Sequence, residues 1–115
     1  LSNGKRECYM EVKNVTLKDG RVAKFPDAVT VRGRKHLNSL MNAVKMRYNA
    51  CMLYIVQRSD CDCFAPAEEI DPAYAKTLRL ALECGVNVFA FKFDARPEGI
   101  YALGRVLCRD DLGKW

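Results

Sequence analysis

Ala50-Cys51-Met52-Leu53-Tyr54-Ile55-Val56 is an unbroken apolar run that stops at Gln57-Arg58. A run this short, without polar alternation, is the pattern of a strand covered on both faces, and such strands are usually central and parallel. Downstream, a polar stretch read as loop leads to Asp71-Pro72, an N-cap followed by a first-turn proline. Tyr74, Leu78, Ala81 and Leu82 then share one apolar helical face, and Gly85 stands at the C-terminal stop. Val86 to Phe93 returns as a strand. The three segments form a strand–helix–strand unit whose strands should be parallel and whose crossover should be right-handed.

Upstream of the run the hydrophobic period is also helical. Val31, Leu37, Leu40, Met41, Val44 and Tyr48 recur at three- and four-residue steps, while Arg34, Lys35, Asn38, Asn42 and Lys45 fall elsewhere on the wheel. Thr30 is the expected N-cap. Before it, Asp19-Gly20 is a hairpin signal between a strand-like run, Cys8 to Leu17, and a return strand, Arg21 to Phe25, that Pro26 ends. Asn3-Gly4 is a second such dipeptide, and the strand it would require lies before Leu1. The chain is therefore expected to be part of a longer protein. The order of two or three antiparallel strands, a helix, a buried strand, a helix and a strand predicts an α/β fold, a mixed central sheet flanked by helices.

The 115 residues hold one domain's worth of core, and with 50% hydrophobic and 29% charged residues the composition excludes disorder and low-complexity tracts. No apolar run approaches the roughly 20 residues of a membrane-spanning helix, and Leu1-Ser2-Asn3-Gly4-Lys5-Arg6 has no apolar signal core, so neither membrane nor export is indicated. The net charge of +5 is unevenly placed. Residues 1–58 carry 12 Lys and Arg against four acids, whereas residues 59–115 carry seven against ten. A basic first half suits a polyanion such as nucleic acid. Cysteines stand at positions 8, 51, 61, 63, 84 and 108. No secretory context supports a disulfide framework, and Cys61-Asp62-Cys63 with a single histidine, His36, lacks the ligand spacing of a zinc site, so no zinc is expected.

In the first strand, alternation puts Glu11 and Lys13 on one face and Met10 and Val12 on the other. A carboxylate and an ammonium so placed can bind a divalent cation and steady an attacking water or a developing phosphate charge, although a solvated ion pair would look the same in sequence. Arg21 and Lys24 follow, and then Arg32-Gly33-Arg34-Lys35-His36 fills the first turns of the helix. Basic side chains at a helix start, where backbone N–H groups are free, can cradle phosphate. Arg32 and His36 are one turn apart and could face the same groove.

These segments together resemble the sugar fermentation stimulation protein A family. The resemblance is carried by Glu11-Val12-Lys13-Asn14-Val15-Thr16-Leu17, by Phe25-Pro26-Asp27-Ala28-Val29-Thr30 with Arg32-Gly33-Arg34-Lys35-His36-Leu37, by Val56-Gln57-Arg58-Ser59-Asp60 with Phe64-Ala65-Pro66, and by Ile70-Asp71-Pro72. It implies a cytoplasmic prokaryotic DNA-binding protein with an N-terminal OB-like domain, absent from this chain, and a nuclease-like domain of the PD-(D/E)XK, restriction-endonuclease-like superfamily. Residues 1–115 would be the later part of that second domain, lacking its first helix and strands. Glu11 and Lys13 would be the Glu-x-Lys half of a catalytic constellation, with Glu11 a ligand of Mg²⁺ or Mn²⁺ and Lys13 orienting water or stabilising the transition state. The partner carboxylate, an aspartate on the preceding strand, would lie outside the chain.

Arg32, Arg34, Lys35 and His36 are the candidate DNA contacts, with Asp27, Gln57 and Arg58 as supporting candidates. Asp27 comes after Glu11 in the chain, the wrong order for the missing ligand. Two functions follow as expectations: metal-dependent phosphodiester hydrolysis in the complete protein, or non-catalytic DNA binding by a regulator of sugar (maltose) metabolism genes with a vestigial site. A structural α/β domain with a basic surface is the third alternative. Assembly into a homo-oligomer stays open.

Overall fold

The structure is a computed structural model, and it describes residues 8–57, 60–96, 98–105 and 107–108. The Asn3-Gly4 turn and Arg58 lie outside the described residues. Ten elements follow in order: β1 (Cys8–Val15), β2 (Leu17–Asp19), β3 (Val22–Phe25), α1 (Val31–Lys45), β4 (Asn49–Val56), β5 (Cys63–Pro66), α2 (Pro72–Cys84), β6 (Asn87–Arg96), β7 (Gly99–Arg105) and β8 (Leu107–Cys108).

The apolar run of β4 is central, as its composition predicts. The first sheet has the order β1-β4-β6-β7, with β4 parallel to both β1 and β6 and β7 antiparallel to β6. The mixed α/β class holds, but a second four-stranded sheet, β2-β3-β5-β8, accompanies the first. Two expectations change with it. The run from Cys8 to Leu17 is not one strand of a hairpin: β1 pairs in parallel with β4, while only Leu17–Asp19 pairs antiparallel with β3 across the Asp19-Gly20 turn. The strand breaks at Thr16, where the chain leaves the first sheet after the fully buried Val15 and enters the second. The stretch read as loop between Gln57 and Ile70 contains β5, which pairs in parallel with β3. Polar residues around it hid a four-residue strand whose Phe64, Ala65 and Pro66 are buried.

Both helices begin where capping chemistry places them. The Thr30 hydroxyl accepts from the Gly33 N–H at 2.9 Å, and the Asp71 carboxylate accepts from the Tyr74 N–H at 3.0 Å. Gly85 closes α2 in the left-handed conformation at φ 106°, where glycine carries no Cβ penalty. Leu37, Leu40 and Met41 of α1 and Tyr74, Leu78 and Ala81 of α2 are buried, as their spacing predicts. Val31 instead faces solvent, 54% exposed, and Tyr48 lies past the helix end and packs on the core from outside.

The core is shared by the helices and both sheets, with Val15, Ala50, Met52, Tyr54, Val56, Val88 and Ala90 from one face of the first sheet and Ala23 and Phe64 from the second. Phe25, Tyr54, Phe64 and Tyr74 join the two sheets to α2, and the Tyr54 and Phe64 rings are stacked with centroids 4.2 Å apart. On the opposite face of the first sheet, Met10 and Val12 are exposed and Leu53, Ile55, Phe89 and Phe91 are half-buried, so β4 is fully covered on one face only among the described residues. Cys8, in the same strand as Met10, is exposed and Cys51 half-buried, so neither is the core hydrophobe its neighbours suggest. Cys61 is: its thiol is fully buried, while Cys63, two residues on, is half-buried on β5.

Candidate functional site

The site sits on β1, an edge strand of the first sheet. Its register against β4 sets Glu11 opposite Met52 and Lys13 opposite Tyr54, so both polar side chains rise from the face that carries the core. Because β1 is at the edge, the pair stays at the margin of that core: the Glu11 side chain is 32% exposed and that of Lys13 15%. Lys13 Nζ lies 3.5 Å from Glu11 Oε1.

The helix face above the strand supplies a third member. His36 Nδ1 is 2.7 Å from Lys13 Nζ and 3.2 Å from Glu11 Oε1. His36, expected beside Arg32 as a phosphate contact, thus reaches inward to the carboxylate and the ammonium, while Arg32 is exposed. Beneath them, the hydroxyls of Tyr54 and Tyr74 are hydrogen-bonded at 2.5 Å in the buried core. The Tyr74 phenol is pushed well above its ordinary range, first by burial and then by the negative charges of Asp71 and Glu11, against the opposing pull of the Tyr54 hydrogen bond.

Asp71 holds the two helix starts together. One carboxylate oxygen accepts from Tyr74 N–H and the other from Thr30 N–H at 2.9 Å, so a single side chain serves the N-terminal turns of both α1 and α2. It is only 2% exposed, and its pKa is held below the ordinary carboxylate value first by the Thr30 N–H, then by that of Tyr74, with the Arg34 charge adding to both. Arg34 is half-buried, its charge acts on Asp71, and its Nε is buried without a hydrogen-bond partner. Gly33 allows the close approach of the helices: a Cβ there would stand 2.8 Å from Thr30 Cγ2 and 3.1 Å from Tyr74 Cε1.

Other basic residues of the first half are already engaged. Lys18 bonds Asp60 at 2.7 Å, Arg21 forks onto both oxygens of Asp62, and Lys24 bonds Glu69 at 2.8 Å. These acids come from the second half of the chain, so part of the sequence asymmetry cancels in space. Arg32 and Lys35 remain exposed on the first turns of α1, and among the described residues neither has an ion-pair partner. Asp27 is exposed in the bend between β3 and α1. Gln57 is a strand-end tie, its Nε2 donating to Asn14 Oδ1 at 3.2 Å and its backbone N–H to the Val15 carbonyl.

Sequence reasoning missed Tyr54, Tyr74 and the double role of Asp71. Only the Asp71-Pro72 dipeptide carried a signal, and it spoke for one helix.

The fold and this edge-strand cluster define an α/β domain with a carboxylate, an ammonium and an imidazole gathered at the terminal strand of the described first sheet. The model of the sugar fermentation stimulation protein RE domain matches residues 1–99, and the chain belongs to the sugar fermentation stimulation protein family. It is 45% identical over 109 residues to the sugar fermentation stimulation protein homolog of Geotalea uraniireducens, covering 95% of this chain and 47% of that protein. It is 52% identical over 93 residues to the homolog of Pelobacter propionicus, covering 81% of this chain and 40% of the relative. Among solved structures it is similar to that of Pyrococcus furiosus SfsA in complex with Ca²⁺, with a TM-score of 0.84 and 28% identity over 89% of this chain and 45% of that one. The chain thus spans less than half the length of these relatives.

Glu11 fits one position of a hard-cation site. Both of its contacts fall on Oε1, which leaves Oε2 as a carboxylate donor at the strand edge, and Mg²⁺ commonly takes one or two carboxylates together with waters and substrate phosphate. Among the described residues no cluster of three or more His, Cys, Asp or Glu could hold a metal ion. No described helix is long and apolar enough to cross a membrane.

Proposed function

We propose that this chain supplies the Glu-x-Lys half of a metal-assisted phosphodiester-hydrolysing site on a restriction-endonuclease-like fold, acting on DNA in the cytoplasm. The observation that carries the reading is the placement of Glu11 and Lys13 on one face of an edge strand, 3.5 Å apart and half-sheltered, within reach of His36. A pure DNA binder has little use for a carboxylate in a basic neighbourhood, where it repels phosphate.

Glu11 would hold Mg²⁺ or Mn²⁺. A cation so bound supplies Lewis-acid polarisation of a phosphoryl oxygen and an activated water. Lys13 places a positive charge beside the carboxylate, where it steadies the charge that grows on the phosphoryl oxygens. Arg32 and Lys35, exposed at the start of α1, bring backbone phosphates to that edge. The similar Pyrococcus furiosus protein was solved in complex with Ca²⁺, which supports a hard cation within this fold.

The test uses a full-length protein carrying this sequence, with plasmid, linear and single-stranded DNA in Mg²⁺, Mn²⁺ or EDTA. Metal-dependent cutting that is lost in both Glu11→Gln and Lys13→Ala is the expected result. Salt-sensitive binding without cutting in any metal would replace this reading with a non-catalytic regulator, a reading favoured by the engagement of Glu11 Oε1 by Lys13. Absence of DNA binding at low salt would leave only a structural α/β domain.

A further inference from the structure

We infer that His36 is a positioning residue for Lys13, acting within the nuclease reading above. A lysine ammonium sits on a flexible four-carbon stem and is a poor instrument until something fixes its direction. Here two groups converge on it. Glu11 Oε1 lies 3.5 Å away, too long for a strong hydrogen bond, whereas His36 Nδ1 lies 2.7 Å away, at the short end of the hydrogen-bonded range. The ammonium has protons to give and no lone pair, so the short contact is a hydrogen bond when Nδ1 accepts and the imidazole proton sits on Nε2. The imidazole is itself seated: α1 carries it, the N-terminus of α1 is tied to α2 through Asp71, and the His36 side chain is only 25% exposed. The bond joins residues 23 positions apart, from a strand and a helix, so it relays the position of α1 to the β1 ammonium.

His36 was first expected to touch DNA phosphate, and the two roles make opposite predictions. A phosphate contact adds to binding and to its salt dependence, with a slope in log K of about −0.9 for each phosphate neutralised. A positioning residue leaves binding alone and lowers turnover. Removing the partner that orients a functional group commonly costs about 10- to 100-fold.

The experiment compares His36→Leu and His36→Asn in the full-length protein. Asparagine can present a carbonyl oxygen near the position of Nδ1, and leucine presents no acceptor. Three quantities are read for each: kcat for metal-dependent DNA cutting, the DNA Kd over a salt series in EDTA, and the acylation rate of Lys13 by an amine-reactive reagent, followed by mass spectrometry. The expected result for His36→Leu is a fall in kcat of about 10- to 100-fold, an unchanged Kd and salt slope, and faster Lys13 acylation, with His36→Asn restoring part of the rate and of the protection. Wild-type cutting with His36→Leu equally fast, or a weaker Kd with a slope shallower by about one, would overturn the inference and leave the nuclease reading standing. No cutting by the wild type would remove both.

Discussion

Asp71→Ala tests the claim that one buried carboxylate terminates two helices. The substitution removes the acceptor of the Tyr74 N–H, a cap whose loss costs about 1 kcal/mol. It also strips the Thr30 N–H of its acceptor at the crowded α1–α2 junction, and a buried donor left unpaired costs about 1–3 kcal/mol. The sum is about 2–4 kcal/mol, which in a chain of this size lowers Tm by roughly 10 °C or more. Asp71→Asn keeps an acceptor for Tyr74 but turns its amide toward another N–H, so it falls between wild type and alanine.

The acid limb of stability gives an independent measure. The folded pKa of Asp71 lies below the ordinary carboxylate value, so its contribution is full above that value and is lost as pH falls through it toward the folded pKa. Asp71→Ala should flatten that part of the stability profile. Urea unfolding at several pH values reads both effects. A loss below about 1 kcal/mol at neutral pH, or an acid limb unchanged by the substitution, would refute the double cap.

Gly33→Ala should destabilise by about 1–3 kcal/mol in urea unfolding, because its new methyl meets Thr30 and Tyr74 at 2.8–3.1 Å and the helices must part. Tyr54→Phe and Tyr74→Phe should each cost about 1 kcal/mol, and the double substitution less than their sum, since both remove the same hydrogen bond. Lowered affinity and a shallower salt slope are expected for the Arg32→Ala, Lys35→Ala pair in DNA-binding titrations. Arg21→Ala should leave the slope nearly unchanged, because its guanidinium is committed to Asp62.

Periodicity and capping chemistry are local, and the elements they mark are where the sequence places them. The run at Ala50–Val56 is the central parallel strand, Thr30 and Asp71 cap the helices, and Gly85 ends the second. The alternation that put Glu11 and Lys13 on one face needed only the two-residue period of a strand. What escaped was non-local. The strand at Cys63–Pro66 is four residues long and is held by pairing to β3 and β8, so its own composition carries little signal. The break at Thr16 is equally silent, because either half of Cys8–Leu17 makes a respectable strand until two different partners claim them.

By itself, the sequence determined the α/β class, the two helices with their caps, and a carboxylate and an ammonium sharing a strand face, because each depends on neighbours a few residues away. Tertiary structure alone decided which charges stay available. It paired Lys18, Arg21 and Lys24 with acids more than 40 positions away, left Arg34 half-buried, and brought His36 off the basic helix start onto Lys13. Net charge counts residues, whereas ion pairing depends on sheet register and helix packing, and those are set by the fold as a whole.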